Sequence, residues 1–203
     1  MEEIIFATKN KGKIKEVKAI LADLNVTVLS MEEAGIDINV EENGETFEDN
    51  AKIKATEIMK VSGKITLADD SGLEVDYLDK QPGVYSARYM GETTSYDIKN
   101  KKIISLLEDV EEKQRTARFV SAIAAAFPDG KVFTTRATIE GIIGYEQKGE
   151  NGFGYDPIFY VPEYGMTTAE MSPELKNKIS HRGKALQLMK QKLIEELEEK
   201  SKL

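Results

Sequence analysis

Two adjacent aspartates, Asp69 and Asp70, have the clearest capacity for chemistry in this sequence. They follow an apolar segment that predicts a strand over residues 64–68, and they precede Ser71 and Gly72. Because side chains alternate along an extended chain, one carboxylate can hold a metal ion at the strand end while its neighbour points elsewhere. By itself, Asp-Asp-Ser-Gly is more typical of a polar turn, so a catalytic interpretation needs support from other residues.

The remaining composition restricts the metal that such a site could hold. The sequence has no cysteine and one histidine, His181, which excludes disulfides, thiolate ligands, cysteine nucleophiles and multi-histidine centres. It also lacks a Gly-x-Ser-x-Gly elbow, a Walker loop and a complete Gly-x-Gly-x-x-Gly fingerprint. Any metal is therefore predicted to be a hard cation held by carboxylates, which points to Mg²⁺ or Mn²⁺.

A lysine-rich loop between a predicted strand and a predicted helix is a candidate phosphate cradle. Its residues run in order as Thr8, Lys9, Asn10, Lys11, Gly12 and Lys13. Hydroxyl, amide and ammonium groups would converge there at a helix N-terminus, where the helix dipole favours an anion. An ordinary exposed loop is the alternative.

Glu41 and Glu42 lie a few residues before another predicted helix. A glutamate of this pair could complete the coordination of an ion held by the aspartates. In isolation, an acidic pair at this position more often complements the helix dipole or is simply solvated.

Two segments near the C-terminus combine aromatic, basic and glycine residues. Gly152 and Gly154 bracket Phe153, an arrangement that can expose one ring face for stacking on a base, although a buried aromatic in a tight turn is the alternative. His181 and Arg182 open the last predicted helix, where a plain helix cap with exposed basic residues is the alternative.

The elements that must position these residues alternate between strand and helix patterns. Strands are predicted at 4–7, 64–68, 73–77, 115–127, 131–141 and 158–161, and helices at 14–24, 46–63, 95–110 and 183–200. A Pro-Asp-Gly turn at 128–130 predicts that the strands on either side of it pair antiparallel. We therefore expect an α/β fold with a mixed sheet.

Composition excludes several classes of partner. The formal charge is −8, from 36 acidic and 28 basic residues, which opposes binding to nucleic acid or to an anionic membrane. No signal peptide or membrane-spanning stretch is recognisable, so a cytoplasmic protein is expected. At 203 residues, the chain suits a single domain over 1–203, built either as one body or as two closely packed lobes.

Taken in order, the motifs of this chain closely resemble those of the inosine triphosphate pyrophosphatase family, which includes bacterial dITP/XTP pyrophosphatases. The resemblance runs nearly end to end and rests on six blocks: Thr8-x-Asn10-x-x-Lys13, Glu42, residues 68–72, residues 82–89, residues 153–157 and residues 180–183. It implies an elongated two-lobed α/β fold with a central mixed sheet flanked by helices, a nucleotide cleft between the lobes and a homodimer.

The resemblance also implies roles for individual residues. Glu42 and Asp70 match the family's magnesium ligands, Asp70 also matches its proton acceptor, and Asp69 lies beside it. Nucleotide-binding positions are implied for Thr8, Lys9, Asn10, Lys11, Gly12, Lys13, Lys54, Ser71, Phe153, Gly154, Tyr155, Asp156, Lys176, His181 and Arg182.

The implied reaction is hydrolysis of non-standard purine nucleoside triphosphates (dITP, ITP and XTP) to the monophosphate and pyrophosphate, which would keep deaminated purines out of DNA and RNA. Arg182, or backbone N–H groups of residues 153–156, could donate to the C6 oxygen of such a base. A pyrophosphatase that prefers pyrimidine triphosphates and a non-catalytic nucleotide-binding protein are the alternatives.

Overall fold

The computed structural model describes residues 2–200, with only the backbone at Lys200. Within these residues the strands are β1 (Glu2–Phe6), β2 (Val26–Ser30), β3 (Ile65–Val75), β4 (Thr116–Ala126), β5 (Val132–Ile143), β6 (Phe159–Val161) and β7 (Met166–Thr167). The α-helices are α1 (Lys11–Ile20), α2 (Phe47–Ser62), α3 (Tyr96–Leu106), α4 (Pro173–Ile179) and α5 (His181–Lys200).

The strands form one mixed sheet in the order β2-β1-β3-β4-β5-β6-β7. β1 pairs in parallel with both β2 and β3, whereas β6 pairs antiparallel with both β5 and β7. β4 and β5 are neighbours in the sheet, and the 128–130 turn that joins them is closed by a hydrogen bond from Phe127 N–H to the Lys131 carbonyl. The expected α/β fold with a mixed sheet is confirmed.

The chain divides into two compact units, each with its own apolar core. Unit 1 comprises residues 1–70, 121–137 and 181–203, and unit 2 comprises residues 71–120 and 138–180. In unit 1, side chains of β1, such as Phe6, pack with Val17 of α1 and Leu186 of α5. In unit 2, Leu73 and Phe159 pack with Ile103 of α3. Whether the chain behaves as a single domain stays a prediction.

Local signals explain where the helices begin. Asn10 caps α1 by accepting from the N–H groups of Gly12 and Lys13. Thr46 opens the sequence Thr-Phe-Glu-Asp, which is typical of a capping box, and it caps α2 by accepting from the N–H of Asp49. α2 ends at Gly63, whose φ of 64° is a left-handed conformation that glycine adopts without steric cost.

The prediction that Asp69 and Asp70 lie at the end of a strand is wrong. The segments predicted as separate strands at 64–68 and 73–77 form one continuous strand, β3, and Asp69, Asp70, Ser71 and Gly72 lie in its middle. The residues on both sides are buried, those before Asp70 in unit 1 and those after it in unit 2. This burial holds the segment extended where its turn-forming residue types favour a loop.

Other differences are smaller. α5 begins at His181, two residues earlier than predicted, and α1 ends at Ile20 rather than near residue 24. The sequence did not predict β2, β7 or α4, which are short or only partly apolar.

Candidate active site

The alternation of β3 gives its two aspartates different surroundings. Asp69 is completely buried, whereas Asp70 is partly accessible. Successive side chains of a strand point to opposite faces of the sheet, so neighbours in sequence contact different groups.

Asp69 is enclosed by cations and a hydroxyl, all of them in unit 1. Its Oδ1 lies 2.5 Å from Lys13 Nζ, and its Oδ2 accepts from Arg182 Nε at 3.2 Å and from Ser121 Oγ at 2.7 Å. Burial alone would raise the pKa of Asp69, but the charges of Arg182 and Lys13 and these hydrogen bonds hold it well below its usual value. Asp69 is therefore ionised at neutral pH and holds Lys13 and Arg182 in place.

The charge cluster extends from Asp69 to α1. Arg182, at the start of α5, is 2% exposed, and its guanidinium also pairs with Glu16. His181, beside it, is 5% exposed. The structure thus brings Lys13 and Arg182 together around Asp69, and the Arg182 guanidinium lies between the carboxylates of Asp69 and Glu16. Whether Arg182 also donates to a base stays a prediction.

Asp70 has the opposite electrostatic character. Burial raises its pKa from 3.8 to about 6; Lys54 and Lys13 oppose this effect, whereas Glu42 and Asp69 add to it. Its Oδ2 is buried and has no hydrogen-bond partner among the residues that the structure describes. An oxygen in this state is an available ligand or proton acceptor, with a pKa suited to general-base chemistry near neutral pH.

Glu42 lies in unit 1 and acts on Asp70 through its charge. Its Oε1 is 2.5 Å from Nζ of Lys54, a residue of α2. Two carboxylates, one of which has an unpartnered oxygen, suit a hard cation, which is bound by oxygen and usually keeps several water ligands. Within residues 2–200, no group of three or more acidic, histidine or cysteine side chains is arranged to hold a metal by itself.

The loop at residues 8–13 is shaped by its own hydrogen bonds. Thr8 Oγ1 accepts from the N–H of Asn10, whose side chain caps α1, and Lys9 Nζ contacts Asp37 and Asn39. Thr8, Lys9 and Lys11 line a pocket of about 470 Å³, which residues between 30 and 37 also line. Gly12 donates its N–H to the side chain of Asn10 and is not among the residues that line this pocket.

In unit 2, hydrogen bonds to the buried side chain of Asp156 hold the glycine-bracketed loop in place. The buried carboxylate accepts from Phe153 N–H at 2.8 Å, from Lys176 Nζ at 2.7 Å and from Thr168 Oγ1 at 2.7 Å. Lys176 Nζ also lies 4.8 Å from the centre of the Phe153 ring. A Cβ at Gly152 would come within 2.1 Å of Asp156 Oδ2, so only glycine fits there.

The other predicted site residues of unit 2 differ in their exposure to solvent. Tyr155 is 4% exposed and donates its hydroxyl to the Ser86 carbonyl at 2.6 Å, so its side chain belongs to the core. Phe153, Gly154 and Ser71 are partly accessible. The predicted residues of the glycine-bracketed loop are therefore close together, but Tyr155 and Asp156 turn their side chains inward.

Sequence reasoning missed three residues that hold this machinery: Ser121, Glu16 and Thr168. Ser121 had a usable signal, since it is the only polar residue in the run Phe119–Ala126 and a buried hydroxyl needs a partner. Glu16 lies three residues after Lys13, which places both on one side of α1. No pattern in the sequence connects Thr168 to Asp156.

No helix within residues 2–200 is long and apolar enough to cross a membrane.

Comparison with known proteins gives a consistent result. The sequence model of the Ham1 family matches residues 4–192. A dITP/XTP pyrophosphatase of Desulforamulus reducens is 52% identical over 91% of this chain and 92% of its own length. Solved structures of HAM1 proteins from Coxiella burnetii and Staphylococcus aureus superpose with TM-scores of 0.86 and 0.85 at 40% and 42% identity, each over 96% of this chain and 100% of theirs.

Proposed function

The chain belongs to the Ham1 family, and from that premise we propose that it hydrolyses non-standard purine nucleoside triphosphates, dITP, ITP and XTP, to the nucleoside monophosphate and pyrophosphate. The relatives named dITP/XTP pyrophosphatase support this substrate class. In a cell, this activity would remove deaminated purine nucleotides before they enter DNA or RNA.

The observation that carries the proposal is that the two aspartates of β3 have opposite pKa shifts and different partners. Asp70 keeps a buried, unpartnered oxygen and a pKa of about 6, so it can accept a proton from an attacking water near neutral pH. Asp69 is held ionised by Lys13 and Arg182, so it serves as the anchor that fixes these cations. We therefore propose Asp70 as the proton acceptor and Asp69 as the residue that positions Lys13 and Arg182.

Glu42 and Asp70 would hold the divalent cation, for which we propose Mg²⁺, with Mn²⁺ able to replace it. When bound, the cation would neutralise charge on the phosphates and so make the α-phosphate more susceptible to water. Lys54, which contacts Glu42, and the loop of Thr8 to Lys13 would bind the triphosphate from the protein side. No residue has to form a covalent intermediate.

Base recognition is proposed for the loop from Phe153 to Asp156. Phe153 offers a partly accessible ring whose position is fixed through Asp156 and Lys176. Stacking on one ring face tolerates any base, so discrimination must come from polar groups near it. Arg182 and His181 are proposed as further nucleotide contacts, and Ser71 as another.

A substrate panel tests this function against its two alternatives. Purified protein is assayed with ITP, XTP, GTP, ATP and CTP, with and without added Mg²⁺, and pyrophosphate is scored separately from orthophosphate. Metal-dependent turnover of ITP and XTP well above the rest is expected. A preference for CTP would indicate a pyrimidine pyrophosphatase, and binding without turnover would indicate a nucleotide-binding protein.

We further propose that the protein is a cytoplasmic homodimer that binds neither nucleic acid nor membrane. The acidic formal charge of −8 supports the absence of polyanionic partners. Sedimentation equilibrium at micromolar concentration should give twice the chain mass of 22.7 kDa, and a monomer mass would contradict the dimer.

A further inference from the structure

Helix α3 and the glycine-rich loop at residues 144–156 are joined by a chain of side-chain hydrogen bonds that the proposed mechanism does not use. We propose that Asn100 is a positioning residue for base recognition, whose amide group holds the Gly154 carbonyl and thereby sets the position of Phe153. Gln147 and Asp97 fix the orientation of that amide group. This inference rests on the proposed function only for what the loop binds.

Asn100 is at the centre of this series of hydrogen bonds. It lies on α3, it is 1% exposed, and its Nδ2 donates to the Gly154 carbonyl at 3.1 Å and to Gln147 Oε1 at 3.3 Å. Gly154 directly follows Phe153, so the hydrogen bond to the Gly154 carbonyl fixes the backbone that carries the Phe153 ring. A buried side chain loses little entropy when it holds such a bond, because packing already fixes its rotamer.

Asp97, at the exposed end of this series of hydrogen bonds, determines the orientation of the Asn100 amide group. Asp97 Oδ1 accepts from Gln147 Nε2 at 2.9 Å, and its other oxygen pairs with Lys101 at 2.7 Å. An ionised carboxylate only accepts hydrogen bonds, so Gln147 must turn its Nε2 towards Asp97 and its Oε1 towards Asn100. Asn100 must then present its donor side to both Gln147 and Gly154.

One consequence of this orientation is visible in the core. The Asn100 Oδ1 atom is buried and has no hydrogen-bond partner among the described residues. Leaving such an acceptor unpaired is unfavourable, and turning the amide group would only set oxygen against oxygen at Gly154 and Gln147. The arrangement therefore favours the hydrogen bond to the loop over complete pairing of Asn100.

Packing reinforces the same attachment. The Tyr96 ring, also on α3, meets the Tyr155 ring edge to face, with centres 5.2 Å apart and planes at 87°. A Cβ on Gly154, where φ is 67°, would contact the Tyr96 ring at 3.6 Å. Asn100 thus holds the loop at the Gly154 carbonyl, and Tyr96 packs against the next residue, Tyr155.

The test uses the full-length protein and two nearly isosteric variants. Asn100→Asp replaces the donor that faces Gly154 by an acceptor. Gln147→Glu, at a half-buried position, keeps an acceptor towards Asn100 but sets a second carboxylate against Asp97. Lys102→Ala, on the exposed side of α3, is the matched control. Hydrogen exchange of the backbone amides reports loop position directly, and inhibition by IMP and by pyrophosphate reports the two halves of the substrate.

In Asn100→Asp, exchange of amides in residues 147–156 should accelerate about 10-fold or more, while amides of α5 stay protected. IMP should inhibit about 10- to 100-fold less well, with inhibition by pyrophosphate unchanged, since two acceptors now oppose each other. KM for ITP should rise more than kcat falls. Gln147→Glu should give smaller changes of the same kind, and Lys102→Ala none.

Unchanged exchange of the loop in both variants would overturn the inference, whatever the protein's substrate. Equal loss of IMP and pyrophosphate inhibition would also overturn it, because a general disturbance of the fold would act on both. If instead the wild-type protein fails to hydrolyse ITP, the proposed function is wrong, and the exchange experiment still decides the role of Asn100.

Discussion

Asp69 and Asp70 should respond in opposite directions to the same substitution by asparagine. Burial raises the pKa of Asp70 from 3.8 to about 6, so the folded state binds a proton at this carboxyl that the unfolded chain releases. A pKa raised on folding gives stability that is present at low pH and is lost as pH rises through the folded value. Above pH 6, ionised Asp70 therefore destabilises the protein.

The size of this effect follows from the two pKa values. A tenfold change in a protonation constant corresponds to about 1.4 kcal/mol, so the raised pKa of Asp70 costs about 3 kcal/mol of stability at pH 8 and about half of that at pH 5. Asp70→Asn removes the charge at constant size. It should raise the free energy of unfolding by up to about 3 kcal/mol at pH 8 while it abolishes most turnover, by about 100-fold or more.

Asp69→Asn is the matched control, because its pKa is lowered by Arg182 and Lys13 after burial is overcome. This stability is present above the unfolded pKa and is lost as pH falls. Removing the charge leaves two buried cations without their shared anion, which should cost about 3–5 kcal/mol at neutral pH.

Urea unfolding of the three proteins at pH 5 and pH 8, in buffer with a chelator, measures all of these differences. The stability difference between Asp70→Asn and wild type should grow with pH. If Asp70→Asn is no more stable than wild type at pH 8, or if the difference is the same at both pH values, the electrostatic assignment of the two aspartates is refuted.

Three further predictions concern the pH dependence, the metal and the fold. At acid pH, kcat/KM for ITP should fall tenfold per pH unit, because Asp70 must be ionised to accept a proton. The pKa of this fall should be no higher than about 6, since a bound cation favours the ionised form. A kcat/KM that does not fall at low pH would contradict this prediction. Glu42→Gln should raise the Mg²⁺ concentration for half-maximal activity about 10-fold or more, and chelation should stop the wild-type reaction; an unchanged metal requirement would remove Glu42 from the site. Arg115→Lys should lower the free energy of unfolding by about 3 kcal/mol, because the buried guanidinium donates to the carbonyls of Leu107, Ile143 and Gly144 and an ammonium cannot reach all three; an unaltered urea midpoint would refute that role.

The sequence predicted the fold best where a local signal and burial agree. The capping box at Thr46 and the turn at 128–130 act over a few residues, and both lie where expected. β3 was misread because Asp69 to Gly72 have the local preferences of a turn, whereas tertiary burial on both sides keeps them extended. Short elements such as β7 carry too few residues for any periodic pattern.

For the candidate site, the sequence named the residue types but not their relations. Asp69 and Asp70 have the same side chain, and only their surroundings lower the pKa of Asp69 and raise that of Asp70. Asn100 and Ser121 act through partners 54 and 52 residues away, which no spacing within the sequence reveals. Such pairings are set by the packed fold, so they could be found only from the structure.

Hydrolysis of ITP in water enriched in ¹⁸O tests the central claim most directly, since it shows which phosphorus atom the water attacks. With Mg²⁺ present, mass spectrometry should find one ¹⁸O atom in IMP and none in pyrophosphate, because attack at the α-phosphate leaves the new oxygen on the monophosphate. Label in the pyrophosphate, or release of labelled orthophosphate with IDP left behind, would contradict the proposed reaction.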